Sequence, residues 1–224
     1  MHTTKVYGGS GIDNDLHHNA TDPNFSVRRS AFHSLAGLYY NYGVVERFAT
    51  QLPTERKSEL RLGYVEELAR RQDARAVRAL CAVLDDDSDA VREVAARTLG
   101  ELGDSDAIEP LRAALSDPVP AVRHAIINAL AALRDIGTIA TLLVSFDESV
   151  PEPDRIATVH AAGAWIEPTT TALLGGIVAR DGSAAVRNLA QRVLDLHAKA
   201  TDCAPETRPE WLPCCSTGPR RLGR

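Results

Sequence analysis

The stretch DSDAIEPLRAALSDPVPAVRHAIINALAALR, Asp104 to Arg134, decides the fold. Ile108, Leu111, Ala114 and Leu115 fall at i, i+3, i+6 and i+7, which puts them on one face of a short helix. After the Asp117-Pro118 turn, Val122, Ile126, Ala129, Leu130 and Leu133 mark the apolar face of a second helix, so the stretch predicts a helical hairpin. Moving back 31 residues finds the same register: Val77, Leu80 and Leu84 on a first helix, and Val91, Ala95, Leu99 and Leu102 on a second. A hairpin of this size cannot bury its apolar face alone; several must stack.

A polar signal carries the same period. An acidic residue is followed six positions later by an arginine in Asp22/Arg28, Glu55/Arg61, Asp86/Arg92, Asp117/Arg123 and Asp181/Arg187. Arg155 keeps the rhythm, although Ser149 stands where its acid is expected. Successive arginines lie 33, 31, 31, 32 and 32 residues apart, the spacing of stacked supersecondary units. Guanidinium groups in a row also match phosphate oxygens. The acid at a constant offset argues instead for an architectural series in which each arginine pairs locally with the acid of its own hexad.

The pattern predicts an unpaired helix near 25–42, followed by five hairpins with second helices near 55–71, 89–102, 120–133, 153–166 and 183–199. Gly43, Gly103 and Gly137 follow second helices, where a left-handed closing residue is wanted, and Pro53, Pro118, Pro120, Pro151, Pro153 and Pro168 fall in turns or first turns. The fourth hairpin is the weakest. It lacks the acid at position 149, and Ala162 and Gly163 leave it a thin core face, so local looseness is expected there.

The segments SDAVREVAARTLGELGDSDAIEPLRAAL and PAVRHAIINALAAL resemble HEAT repeats, in particular the HEAT-like subtype of phycobilisome bilin lyases, over roughly residues 22–199. The resemblance implies an all-α fold, an armadillo-type α-solenoid whose second helices line the concave face. It also implies that the acid of the turn and the arginine of the second helix form a polar ladder between successive repeats. Most members bind other proteins, so the implied activity is recognition. The related deoxyhypusine hydroxylases hold iron on His-Glu dipeptides, and this chain contains none. HEAT-like DNA-repair glycosylases need a positive cleft, whereas the second-helix face here mixes signs.

Composition bounds the rest. The 224 residues are 44% apolar, with a formal charge of −5 and a pI near 5.8, which gives no chain-wide basic footprint and argues against a dedicated nucleic-acid binder. No apolar run approaches the roughly 18 residues of a membrane span, and the opening MHTTKVYGGSGIDND has no signal-peptide core. A cytoplasmic protein with reduced thiols is the expectation. Residues 1–21 read as a flexible arm containing His17 and His18, residues 22–200 as the repeat domain, and residues 201–224 as a disordered tail with Cys203, Cys214, Cys215, Trp211, Arg220, Arg221 and Arg224. The tail cysteines lack paired CxxC spacing, which favours free thiols over a metal.

No catalytic constellation and no cofactor motif stands out. His33, His124 and His160 occupy second helices, but no acid or cysteine joins them at metal-ligand spacing. If Val91, Ala95, Leu99 and Leu102 face the core, the 100° step per residue turns positions 93 and 97 away from it. Carried through the repeat, this defines a strip of Arg29, His33, Leu62, Glu66, Glu93, Arg97, His124, Asn128, Ile156, His160, Asn188 and Arg192. Mixed charge with scattered apolar groups suits a protein or peptide partner. The competing reading is a HEAT-like enzyme or bilin-lyase-like accessory factor, or a nucleic-acid module using the same groove.

Overall fold

The computed structural model describes residues 19–37, 43–147 and 149–202, and all regular structure among them is helical. His17, His18, Trp211, the tail cysteines and the tail arginines lie outside the described residues. The helices are α1 (Phe25–Ala36), α2 (Gly43–Gln51), α3 (Ser58–Arg71), α4 (Val77–Ala82), α5 (Asp89–Leu102), α6 (Ile108–Ala113), α7 (Pro120–Ala132), α8 (Ile136–Val144), α9 (Glu152–Ala162), α10 (Pro168–Arg180) and α11 (Ala184–Asp202).

Two layers result. The second helices α1, α3, α5, α7, α9 and α11 pack against one another in chain order, and the first helices α2, α4, α6, α8 and α10 lie behind them. One continuous core runs between the layers: Leu60, Tyr64 and Leu68 meet Val44, Phe48 and Leu52, and the same alternation passes through Val91, Ala95 and Leu99 to Val122, Ile126 and Leu130. Val77, Leu80, Leu84 and Leu111 are buried as the apolar period predicts, while Ile108, Ala114 and Leu115 are half-buried at the edge. The described chain is an all-α solenoid, and no described helix is long and apolar enough to cross a membrane.

The punctuation differs in informative ways. The first helix ends at Ala36, capped by Gly37, and Gly43 opens α2 instead of closing α1. Gly137 lies in the first turn of α8. Only Gly103 of the three expected closers is left-handed (φ 71°); Gln72 (φ 50°) and Arg134 (φ 59°) do the same work without being glycine. Glu55 lies in the turn before α3. Helix α9 stops at Ala162, and the turn that follows buries Trp165.

Two glycines set how closely second helices approach. A Cβ on Gly100 would lie 2.7 Å from Ala129 Cα, so α5 and α7 meet almost backbone to backbone. The thin face of the fourth hairpin has the same cause: a Cβ on Gly163 would lie 3.3 Å from Val193 Cγ2 of α11. Gly175, within α10, has nothing within 4 Å of such a Cβ. Alanine gains up to about 1 kcal/mol of helix propensity over glycine, whereas overpacking costs roughly 1–3 kcal/mol. Gly100→Ala should therefore lower the urea midpoint and Gly175→Ala should raise it; a rise for both would mean that α5 and α7 can move apart freely.

Candidate functional site

The arginine series forms a ladder, but its rungs cross between repeats instead of closing within each hexad. Arg28 grips Glu55 through Nε (2.7 Å) and Nη2 (2.8 Å). Arg61 grips Asp86 (2.6 and 2.8 Å), and Arg92 grips Asp117 (2.6 and 3.1 Å). Arg61 also pairs with Asp87. Each arginine keeps its own hexad only through the backbone: Nη1 donates to the carbonyl oxygens of Asp22, Glu55, Asp86, Asp117 and Asp181 at 2.6–3.1 Å. The acid's side chain is unavailable to it because one carboxylate oxygen accepts the N–H two residues on, at Asn24, Lys57, Ser88, Val119 and Ser183. That bond locks the turn and leaves the carboxylate facing the preceding repeat.

The fourth hairpin divides one acid's work between two residues. Asp147 accepts the N–H of Ser149 and so holds the turn, while Asp154, on α9, takes Arg123 (Nε 2.9 Å, Nη2 2.7 Å). Ser149 is therefore no missing rung. Arg155 donates to Val150 O at 2.5 Å and reaches Asp181 at 3.1 and 3.3 Å, the longest pair of the series, with its buried Nε–H not aimed at an acceptor.

A second acid series went unread in the sequence. Asp73, Asp104 and Asp135, 31 residues apart, each cap the start of a first helix or the short turn leading into it, accepting from Arg75, Asp106 and Thr138 N–H respectively. Asp135 also takes Arg112 from the neighbouring first helix at 2.7 and 2.8 Å. Its constant interval was the available signal.

Burial alone would push the Glu55, Asp86 and Asp117 carboxyls up. The arginine opposite and the capping N–H outweigh it and hold all three below their ordinary values. Arg92 and Asp117 are each only 9% exposed, so these charges are withdrawn from solvent and from any ligand.

Most of the strip of positions predicted to face away from the core lies on the second-helix surface, but Leu62 and Ile156 instead pack against the edge of the core, since an apolar side chain there gains from burial. Arg29, His33, Glu66, Arg97, Asn128, His160, Asn188 and Arg192 are exposed, and Leu62, Glu93, His124 and Ile156 are half-buried. The close approach of α5 and α7 brings four of them together: Glu93, Arg97, His124 and Asn128 border a groove of about 520 Å3 floored by Gly100 and Ala129. Arg97 stands 3.9 Å from Glu93. His124 belongs partly to the ladder, since its Nε2 lies 2.9 Å from Asp154 Oδ1. No group of three metal-ligating side chains converges among the described residues.

Stacked two-helix units cross-linked by arginine–carboxylate rungs define a class of α-solenoid. Residues 77–163 match the HEAT repeats family, and the fold over most of the chain is that of a HEAT-like solenoid. It is similar to the complex of CpcE and CpcF of phycocyanin lyase from Nostoc sp. PCC7120, with 22% identity over 85% of this chain and 79% of that chain and a TM-score of 0.54. Human deoxyhypusine hydroxylase in complex with glycerol (20% identity, 83% of this chain and 96% of that chain, TM-score 0.45) and an engineered protein (19%, 83% and 96%, 0.45) follow. At these identities the likeness is one of fold. No curated protein matches the sequence significantly.

Two outcomes are expected. In double-mutant cycles Arg92→Ala and Asp117→Ala should couple by about 1–3 kcal/mol, whereas Arg92→Ala and Asp86→Ala should be nearly additive, because Arg92 touches only the backbone of Asp86. The reverse order would restore pairing within the hexad. The depressed carboxyls also make the native state bind fewer protons than the unfolded chain, so their stabilisation is complete above the ordinary values of 4.5 for Glu and 3.8 for Asp and is lost as pH falls through the lower native values. Thermal melts should be flat from pH 7 to about 5 and fall below about 4, with a shallower fall in Asp117→Asn; an unchanged slope in that variant would remove Asp117 from the acid response.

Proposed function

We propose that the protein is a non-catalytic interaction scaffold that holds a protein or peptide partner on its second-helix face. The observation that supports this reading is the groove between α5 and α7, where an acid, a base, an imidazole and an amide surround a small-residue floor. Such a mixture offers complementary polar contacts around an apolar centre, the composition of a protein interface. The periodic cations that would suit a phosphate backbone are consumed by the ladder: Arg28, Arg61, Arg92, Arg123 and Arg155 all face carboxylates. A nucleic acid would meet Glu66 and Glu93 between the remaining positive groups, which weakens a phosphate contact.

A few residues carry most of the energy of an interface. Arg97, Asn128 and His160 are suitable to test because they are exposed and lie off the ladder, whereas replacing His124 would also disturb Asp154. Affinity purification with wild type and with the triple variant Arg97→Glu, Asn128→Ala, His160→Ala should show partners lost from the variant while its melting temperature stays within about 2 °C. Retention of the same partners would place the interface elsewhere, and binding of a labelled DNA duplex at physiological salt would favour the nucleic-acid reading.

A further inference from the structure

The ladder ends in two unmatched halves, one at each end of the described stack. At the carboxyl end, Arg187 is held as every other rung arginine is held, with Nη1 on the carbonyls of Asp181 (2.6 Å) and Gly182 (3.0 Å). This fixes the direction of its Nε–Nη2 edge. In Arg28, Arg61 and Arg92 that edge receives a carboxylate from the following repeat; for Arg187 no carboxylate lies there among the described residues. At the amino end, Asp22 is oriented as the paired acids are, one oxygen accepting the Asn24 N–H at 2.7 Å. Its equivalents Glu55, Asp86 and Asp117 each take an arginine from the repeat before. Asp22 has no such arginine among the described residues.

We propose that these halves complete each other between molecules: Arg187 of one copy takes Asp22 of the next, which continues the ladder head to tail across a contact between copies. The chemistry is charge-complementary, and both groups are already held in the geometry that the internal rungs use, so little side-chain entropy is lost on pairing. A contact between unlike surfaces propagates instead of closing at two, unless the rotation between copies makes a ring.

The same end face sets the strength of the contact. Four and seven positions after each internal rung arginine, the side chains are apolar and buried: Phe32 and Leu35, Val65 and Leu68, Ala96 and Leu99, Ile127 and Leu130, Val159 and Ala162. After Arg187 these positions are Gln191, exposed and bonded to Asp195, and Leu194, half-buried. With half of the apolar pair replaced by an amide, the contact is reversible and rests mainly on charge, and salt weakens it.

Sedimentation velocity of the full chain at low salt, from about 1 μM to about 100 μM, tests this. Wild type should shift to larger species with concentration and revert on adding salt. Arg187→Glu alone and Asp22→Arg alone should each weaken association at least about tenfold while lowering the melting temperature less than Arg92→Ala does, since each loses only local turn bonds and neither has a cross-repeat partner among the described residues. An equimolar mixture of the two variants should again associate, because the first retains a wild-type Asp22 and the second a wild-type Arg187. A monomeric wild type throughout the series overturns the proposal, as does association that neither variant weakens. Loss of melting temperature in Arg187→Glu comparable to that in Arg92→Ala also overturns it, since the Arg187 fork would then be filled from within the same chain.

Discussion

A guanidinium held at one corner by its own turn and gripping a carboxylate of the next repeat is the contact on which the stack depends. Apolar packing supplies the larger share of the stability, but it is nearly indifferent to a small slide of one hairpin past another. The fork is not, because two parallel N–H···O bonds fix both distance and direction. Arg28, Arg61 and Arg92 repeat that geometry with Nε distances of 2.6–2.7 Å, and each sets the register of the repeat that follows. Burying the charges is costly, and the net gain over an apolar substitute is small. What the rungs contribute is a single permitted offset between neighbours.

The turn makes the rung possible. An acid that spends one oxygen on the N–H two residues ahead cannot also reach back to its own arginine, and so it presents its carboxylate to the arginine of the preceding repeat. The fourth hairpin shows the two tasks to be separable, since Asp147 holds the turn and Asp154 takes the arginine. Moving the acceptor from the turn onto α9 also brings His124 within reach of it. The next rung, Arg155 to Asp181, is then the longest of the series. At the same repeat the absence of a side chain at Gly163 lets Val193 of α11 come close.

Architecture and recognition compete for the same residue types in a solenoid, and here they are separated by helical phase. The arginines 31–33 residues apart point along the stack and are neutralised inside it. Roughly 100° to 200° further round the same helices stand Glu66, Glu93, Arg97, Asn128 and His160, whose charges do not cancel in any regular way. A surface so varied from repeat to repeat selects by the particular sequence of groups it presents, and the regular interior lets those groups change without disturbing the fold.

The amino-acid sequence by itself determined the helical hairpin, its period and its buried face. Apolar spacing at i, i+4 and i+8 is a local property, and the register of Val91, Ala95 and Leu99 recurs at Val122, Ile126 and Leu130 without reference to any neighbour. The exposure of the polar positions Glu66, Arg97, Asn128 and His160 on the far side was legible for the same reason, whereas the apolar Leu62 and Ile156 of the same strip turn to the core edge. Which carboxylate each arginine takes was decided only by the tertiary structure. Six residues separate Arg92 from Asp86 and twenty-five from Asp117, so spacing favours the nearer acid; the stacking of α5 on α7 and the capping of the turn bring the farther one to 2.6 Å. The substitution of Asp154 for the absent acid at Ser149, and the closing of α3 by Gln72 instead of a glycine, were hidden as well. The first depends on a position in space that the neighbouring repeat creates, with its partners 31 residues apart; the second rests on Gln72 bonding back to Ala69 O with backbone and side chain, work for which a glycine was expected.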